Sequence, residues 1–286
     1  MTTPVSKPGH SFTFWTKLPT ALRAVVTGLV VFAVSANVWL LLLLNLNTAL
    51  AAALEVVFLG LVIWWSHGGG PPKAAQVFRE KVFRRTRLTS AQWIWGIIAA
   101  VFFAATVHSS IVLLFRFMPY PAAAFRRDYD LSFIPSEGLR WLVVAISAAS
   151  AAICEEIGFR GFMQQPIEGR DGVSTAIFTS SFFFMLLHLS KAWSSLGMAP
   201  IVFGAGILLG LLASSSESLI PGIIGHFVMD VGLFAYWWTG IAGTFSTRPI
   251  SQTGMDGPFL IACCAFAISL SSALVAMARL RKPRHR

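Results

Sequence analysis

The sequence predicts an all-α fold, a polytopic integral membrane bundle of about eight transmembrane helices, and two observations support this prediction. Of the 286 residues, 56% are hydrophobic and only 12% are charged, a balance that water-soluble domains do not show. Apolar stretches of about 18–25 residues, each long enough to cross a hydrocarbon core of about 30 Å as a helix, recur along the chain. We therefore expect the bilayer to be the solvent of this protein.

The apolar stretches can be placed along the chain by their polar boundaries. The first one is too long for a signal peptide and has no small-residue cleavage site after it, so we expect it to remain as a membrane anchor. The predicted spans cover residues 22–45, 48–66, 92–115, 138–165, 173–190, 199–216, 219–239 and 258–279.

Lysine and arginine residues are distributed unevenly between the loops. If the tail 1–21 is cytoplasmic, fifteen of them lie on the cytoplasmic side and six on the opposite side. Both termini are therefore predicted to be cytoplasmic, in a multi-pass protein of the inner, cytoplasmic membrane. The loop 67–91 carries six basic residues and is predicted to contact anionic lipid headgroups. Because the basic residues flank helices, the net charge of +10 indicates a lipid bilayer partner and no nucleic acid.

Few ionisable side chains fall well inside the spans, away from their ends, where each costs at least about 2.5–3.5 kcal/mol on insertion scales. Six of the eight belong to the fourth, fifth and seventh spans, which is the pattern of one shared polar site. Lone membrane histidines mostly make interhelical hydrogen bonds, but a purely structural bundle gains little from six buried ionisable groups. The eight residues are Glu55, His108, Glu155, Glu156, Arg160, His188, His226 and Asp230.

The fourth span ends with two adjacent glutamates whose expected roles differ. Glu156 and Arg160 are four residues apart, so they lie on one helix face and can form a buried ion pair. Glu155 lies about 100° further around the helix, away from that cation, and is the predicted general base. We expect Glu156 and Arg160 to form a structural second shell that holds the helix geometry around it.

Depth estimates at 1.5 Å per residue bring four side chains to similar levels in the membrane. His226 and Asp230 are one turn apart on the seventh span, and Glu155 and His188 are expected to meet them near the membrane centre. The expected cavity opens toward the cytoplasm or laterally into lipid. Because the depth of His188 differs most from that of His226, we expect a broken or tilted helix. Glu55 and His108 lack this pattern and are predicted to serve packing or a cavity.

Three short motifs on successive spans resemble a known family. They are E-E-x-x-x-R from Glu155 to Arg160, F-x-x-x-H from Phe184 to His188, and H-x-x-x-D from His226 to Asp230. In this order, with S-L-I-P-G-I-I-G-H leading to His226, they resemble the CAAX protease and bacteriocin-processing family, also called the abortive-infection or type II CAAX prenyl endopeptidase family.

The resemblance covers about residues 138–240. It implies a catalytic core there, family-variable helices in 22–137, and a last helix with a basic cytoplasmic tail in 241–286.

The resemblance also implies an activity and a role for each site residue. The family consists of intramembrane proteases, in which Glu155 and His188 would activate a water molecule. His226 and Asp230 would stabilise the oxyanion. The family often has Asn at the last position, and an ionised Asp cannot donate a hydrogen bond to an oxyanion. We therefore expect Asp230 to orient His226, which would be the donor. The implied partner is a peptide or protein substrate in or at the membrane.

Two questions stay open at the level of sequence. Family members are often labelled metalloproteases, and Glu155, His188 and His226 could ligate zinc, but no H-E-x-x-H motif is present. A metal-independent glutamate-type site is therefore favoured, with zinc as the alternative. Other function classes are a catalytically silent scaffold or bacteriocin-immunity protein with the same fold, and a proton-coupled transporter. Transporters usually contain structural repeats with paired broken helices, and the sequence shows no internal repeat.

Overall fold

A computed structural model of the chain describes residues 14–281, apart from 16, 85, 128, 189–196 and 246. Its described residues form helices and connecting segments and contain no strand, which confirms the all-α prediction. The predicted tail residues 1–13 and the basic C-terminal residues 282–286 lie outside the described residues.

Eight apolar helices run through the described part of the chain, and seven of them are long and apolar enough to cross a membrane. The exception is α5, whose 15 residues cover about 22 Å. The helices are α1 (Thr20–Asn45), α2 (Thr48–Ser66), α3 (Ser90–Phe117), α4 (Glu137–Asp171), α5 (Val173–Leu187), α6 (Met198–Ser216), α7 (Ile220–Trp238) and α8 (Gly257–Leu280). Short helices connect them at Lys73–Ala75, Gln76–Val82, Ala122–Arg127 and Ile250–Thr253.

The fifth span ends earlier than the predicted residue 190, and the last two positions of that prediction lie outside the described residues. His188 is the C-cap of α5, and its ring Nδ1 lies 2.8 Å from the carbonyl oxygen of Phe184. In a continuing α-helix that carbonyl would accept the backbone N–H of residue 188, which here bonds to the Met185 oxygen at 3.0 Å. The His188 ring thus replaces a helical hydrogen bond at the point where the helix ends.

Polar side chains fix where several helices begin. Thr89 and Gln92 form a capping box at the start of α3. Asp256 caps α8 by accepting a hydrogen bond from the Phe259 N–H, and it also pairs with Arg116 at 2.9 Å. The Phe259 N–H, assisted by the Arg116 guanidinium, holds the pKa of Asp256 below its usual range. These contacts join the end of α3 to the start of α8.

Helix α4 is the central helix of the bundle. Within its most apolar window 67% of the residues are buried, against 22% for both α1 and α2 and 28% for α8. It contacts α1, α2 and α7, while α3 packs along α8 and α6 packs against α5. Residues of α4 are therefore shielded from lipid to an extent that those of the outer helices are not.

The basic segment between α2 and α3 is folded against the helix ends. Arg79 is buried and donates to backbone carbonyl oxygens of residues 65, 69, 70 and 72 at 2.8–3.1 Å. Arg84 forms an ion pair with Glu168 of α4 at 2.5 Å. Protein oxygens thus bind both guanidinium groups, while the contact of the loop 67–91 with lipid headgroups stays a prediction.

Candidate active site

Both helices that carry the predicted catalytic carboxylates change their winding at the site. Helix α4 is α-helical from Glu137 to Glu155 and π-helical over Glu156–Gln164. Helix α7 is α-helical from Ile220 to Gly232 and π-helical over Leu233–Trp238. π-Helical turns are rare and occur often at functional sites. A broken or tilted helix was expected near the site, but the position and type of these turns were not, because depths were estimated from α-helical geometry.

Glu156 connects Arg160 to His226. Its Oε1 lies 3.1 Å from Arg160 Nη1 and 3.0 Å from His226 Nδ1, and the side chains of Glu156 and Arg160 are fully buried. The ion pair is the one that the spacing predicts. The hydrogen bond to His226 was not predicted, and it gives Glu156 control over the orientation of that ring.

Phe184 packs at the centre of the site. Arg160 stands over its ring at 4.5 Å, and the ring centroids of His188 and His226 lie 4.6 Å and 5.9 Å from it. Arg160 also donates to the carbonyl oxygen of Gly206 at 3.2 Å. In the sequence Phe184 stands out only as the first residue of the F-x-x-x-H motif, but its ring is in contact with three of the polar side chains.

The four side chains predicted to be catalytic come together on α4, α5 and α7. Glu155 Oε2 lies 3.8 Å from His188 Nε2 and 3.8 Å from His226 Nε2. Asp230 Oδ2 lies 3.5 Å from His226 Nε2, one helical turn along α7. The expected contact between Asp230 and His226 is therefore present, but Glu156 is the closer acceptor for this ring. The catalytic roles of the four residues stay predictions.

The hydrogen bonds of the two rings restrict their protonation. A backbone carbonyl only accepts, so His188 Nδ1 carries the hydrogen that binds the Phe184 oxygen. In the neutral ring His188 Nε2 is then an acceptor, and it faces Glu155. His226 Nδ1 faces the Glu156 carboxylate at 3.0 Å, so His226 Nε2 carries a hydrogen as well only if the ring is an imidazolium.

A small cavity of about 70 Å³ lies among these side chains, with Glu155, His188, His226 and Asp230 in its wall. A buried water needs about 10–15 Å³ measured in this way, so the cavity has room for a few water molecules. The 3.8 Å separations are also those that a bridging water can span.

Trp238 lines this cavity and also a second one of about 590 Å³, whose wall includes Arg126 and Thr239. The second cavity lies beyond the end of α3 opposite to the basic segment 67–84. One wall residue of the site is thus shared with that end of the bundle, while the opening toward the cytoplasm or into lipid stays a prediction.

Zinc binding by the three predicted ligands stays an alternative prediction. Among the described residues, no group of three or more His, Cys, Asp or Glu side chains has the geometry of a metal site. Glu155, His188 and His226 face one another, but their nearest atoms are 3.8 Å apart in both histidine contacts.

Glu55 and His108 lie outside this group of four. Glu55 on α2 is fully buried and accepts a hydrogen bond from Ser150 of α4 at 2.8 Å. His108 on α3 has its Nε2 3.1 Å from the carbonyl oxygen of Met229 on α7. Glu55 thus joins two helices, as predicted for a packing residue, and His108 contacts the helix that carries His226 and Asp230.

Comparisons with curated proteins and with solved structures gave no match. A family model does match: residues 137–232 fit the model described as Type II CAAX prenyl endopeptidase Rce1-like. The matched segment contains the three motifs, from Glu155 to Asp230, and so agrees with the resemblance seen in the sequence. Residues 137–232 of this multi-pass membrane protein are therefore similar to the type II CAAX prenyl endopeptidase Rce1-like family.

Proposed function

We propose that this protein is an intramembrane endopeptidase that hydrolyses a peptide bond of a membrane-associated or hydrophobic peptide. The observation that carries the proposal is the convergence of Glu155 Oε2 with two imidazole Nε2 atoms, each 3.8 Å away, at a cavity of water size. The matched family is a family of proteases, which supports a peptidase in general. The proposed location is the inner membrane, with both termini in the cytoplasm.

In the proposed first step Glu155 and His188 activate a water molecule. A water between them can donate one hydrogen to the Glu155 carboxylate and the other to His188 Nε2, which is an acceptor because Nδ1 is bound to the Phe184 carbonyl. Glu155 takes the proton as the water oxygen attacks the carbonyl carbon of the substrate. It returns that proton to the leaving amine when the carbon–nitrogen bond breaks.

In the same step His226 stabilises the oxyanion. As an imidazolium it donates through Nδ1 to Glu156 and has a second hydrogen on Nε2 for the developing charge. The carboxylates of Glu155, Glu156 and Asp230 lie 3.0–3.8 Å from its nitrogen atoms and balance the charge of the ring. Asp230 then acts as an acceptor beside Nε2, and Arg160 neutralises Glu156.

The test is cleavage of a panel of hydrophobic peptides by the purified protein in detergent, with the products identified by mass. We expect the parent to cut at least one peptide and Glu155→Gln to lose at least about 10²-fold in rate, the range for a general base. Glu137→Gln is the matched control, since Glu137 belongs to the first turn of the same helix, far from the site.

Equal rates for the parent and Glu155→Gln would refute the proposed base. A protein that binds the peptides without cutting any of them would be a scaffold.

A further inference from the structure

His108 is a second histidine of the bundle whose hydrogen bond reaches the helix of the catalytic residues. Its Nε2 lies 3.1 Å from the carbonyl oxygen of Met229, the residue before Asp230. Because a carbonyl only accepts, Nε2 must carry the hydrogen. The neutral ring then has a bare acceptor at Nδ1, which is buried and has no hydrogen-bond partner among the residues that the structure describes. Burying that acceptor without a partner costs free energy, which the single bond to Met229 offsets only in part.

Gly232 is the residue that admits the His108 ring. A Cβ atom at position 232 would lie 2.3 Å from His108 Nε2 and 2.6 Å from its Cε1, closer than real Cβ contacts. Any larger residue would move the ring away from the Met229 oxygen. The backbone of Gly232 is ordinary αR, so its need for glycine comes from this close approach and not from conformational strain.

The contact falls where α7 changes its winding. Gly232 is the last α-helical residue, and the π-helical turn begins at Leu233. The Met229 oxygen accepts from the Leu233 N–H as well as from His108, so it belongs to the junction itself. Asp230 lies just before the junction, while Leu233, Phe234 and Trp238 lie beyond it, and all of them line the cavity that contains Glu155. The direction that α7 takes at this junction therefore affects both the Asp230 carboxylate and the wall of the cavity.

We infer that His108 is a positioning residue: by donating to the Met229 carbonyl across Gly232, it fixes the α-to-π junction of α7 and with it Asp230 and the cavity wall. Neighbouring residues of α3 support this arrangement, because Val107 and Ile111 line the same cavity one turn apart. The expected effect on the rate of cleavage rests on the proposed hydrolytic function. The expected effect on the orientation of the site residues does not depend on that function.

Three single variants test the inference by kinetics. His108→Leu removes the donor, Gly232→Ala displaces the ring, and His108→Gln keeps an amide N–H close to the position of Nε2. We expect the first two to lower kcat by about 10–100-fold with little change in KM, since a shift of about 1 Å in a catalytic group can cost this much. We expect His108→Gln to restore most of kcat. The double variant His108→Leu/Gly232→Ala should be no slower than either single one, because both act on one contact.

Nitrogen-15 NMR of the histidine rings supplies a readout that does not require activity. The His226 signals, assigned with His226→Gln, should move in His108→Leu and Gly232→Ala and stay at their parent positions in His108→Gln. Moved signals in a protein that cuts no peptide would uphold the inference and count against the proposed function alone. Unchanged His226 signals in His108→Leu, or additive losses in the double variant, would overturn the inference.

Discussion

Two buried glutamates, Glu55 on α2 and Glu155 on the central helix α4, have different surroundings. Glu55 accepts one hydrogen bond, from the Ser150 hydroxyl, and joins α2 to α4. Glu155 faces His188 and His226 at 3.8 Å, next to a cavity that holds a few waters, with Asp230 in the same wall. Both carboxyl groups carry the cost of burial in a membrane protein. The difference teaches that burial alone does not identify a reactive carboxylate, whereas convergence with other ionisable groups on space for a water does.

The largest expected effect on stability comes from Glu156, because its removal strands Arg160 in a fully buried position. We expect Glu156→Gln to lower the free energy of unfolding by about 3–5 kcal/mol, measured by denaturant unfolding in detergent. Asp171→Asn is the control, since the Arg170–Asp171 pair is exposed, and we expect it to change stability by no more than about 1 kcal/mol. A fully stable Glu156→Gln protein that has lost activity would reverse the roles given to Glu155 and Glu156.

The next effect concerns the oxyanion. His226→Gln removes the Nε2 donor, and we expect peptide cleavage to slow by about 10²–10³-fold, as for the loss of one oxyanion donor. His67→Gln is the control, because His67 lies at the end of α2 and bonds to the Ile63 carbonyl, away from the site. Rates that fall equally in both variants would indicate a general effect on folding and would contradict the role of His226.

Variants of Asp230 distinguish a metal-independent site from a metalloprotease site. If it serves as an acceptor beside His226, Asp230→Asn keeps an acceptor oxygen and should retain much of the activity, while Asp230→Ala should lose about 10²-fold. The measurement is turnover of one peptide by both variants, with and without a strong zinc chelator. An Asn variant as slow as the Ala variant, together with chelator sensitivity of the parent, would favour a metalloprotease.

The smallest effect on activity is expected from a change beside Glu55. Ser150→Ala removes the hydrogen bond that Glu55 accepts, and we expect it to lower the free energy of unfolding by about 1–3 kcal/mol. Peptide cleavage per folded molecule should equal that of the parent. A loss of kcat in this variant, at unchanged stability, would extend the site to Glu55 and weaken the comparison.

Much of the architecture was predictable because hydrophobic length is a strong signal in membrane proteins. The predicted spans coincide with the eight apolar helices to within a few residues at most ends. The sequence also predicted that four side chains would converge, because buried ionisable residues are few and must share an environment. They are Glu155, His188, His226 and Asp230.

What could not be predicted depends on departures from uniform α-helical geometry. The early end of α5 requires the ring of His188 to take the Phe184 carbonyl, and the π-helical turns after Glu155 and Gly232 depend on packing between helices. The bond from Glu156 to His226 joins residues 70 positions apart, and no local spacing predicts it. Gly232 illustrates the same limit, because its close approach to His108 exists only once α3 and α7 have packed.

The most direct test of the account compares single-turnover cleavage of one peptide by the parent, Glu155→Gln and Glu55→Gln, each shown to be folded by its unfolding midpoint. Both substitutions neutralise a buried glutamate that lies on α4 or bonds to it, and only one changes the group that faces both histidines. The account predicts a loss of at least about 10²-fold for Glu155→Gln and a parent-like rate for Glu55→Gln. Equal losses in the two variants, or a parent-like rate for Glu155→Gln, would contradict it.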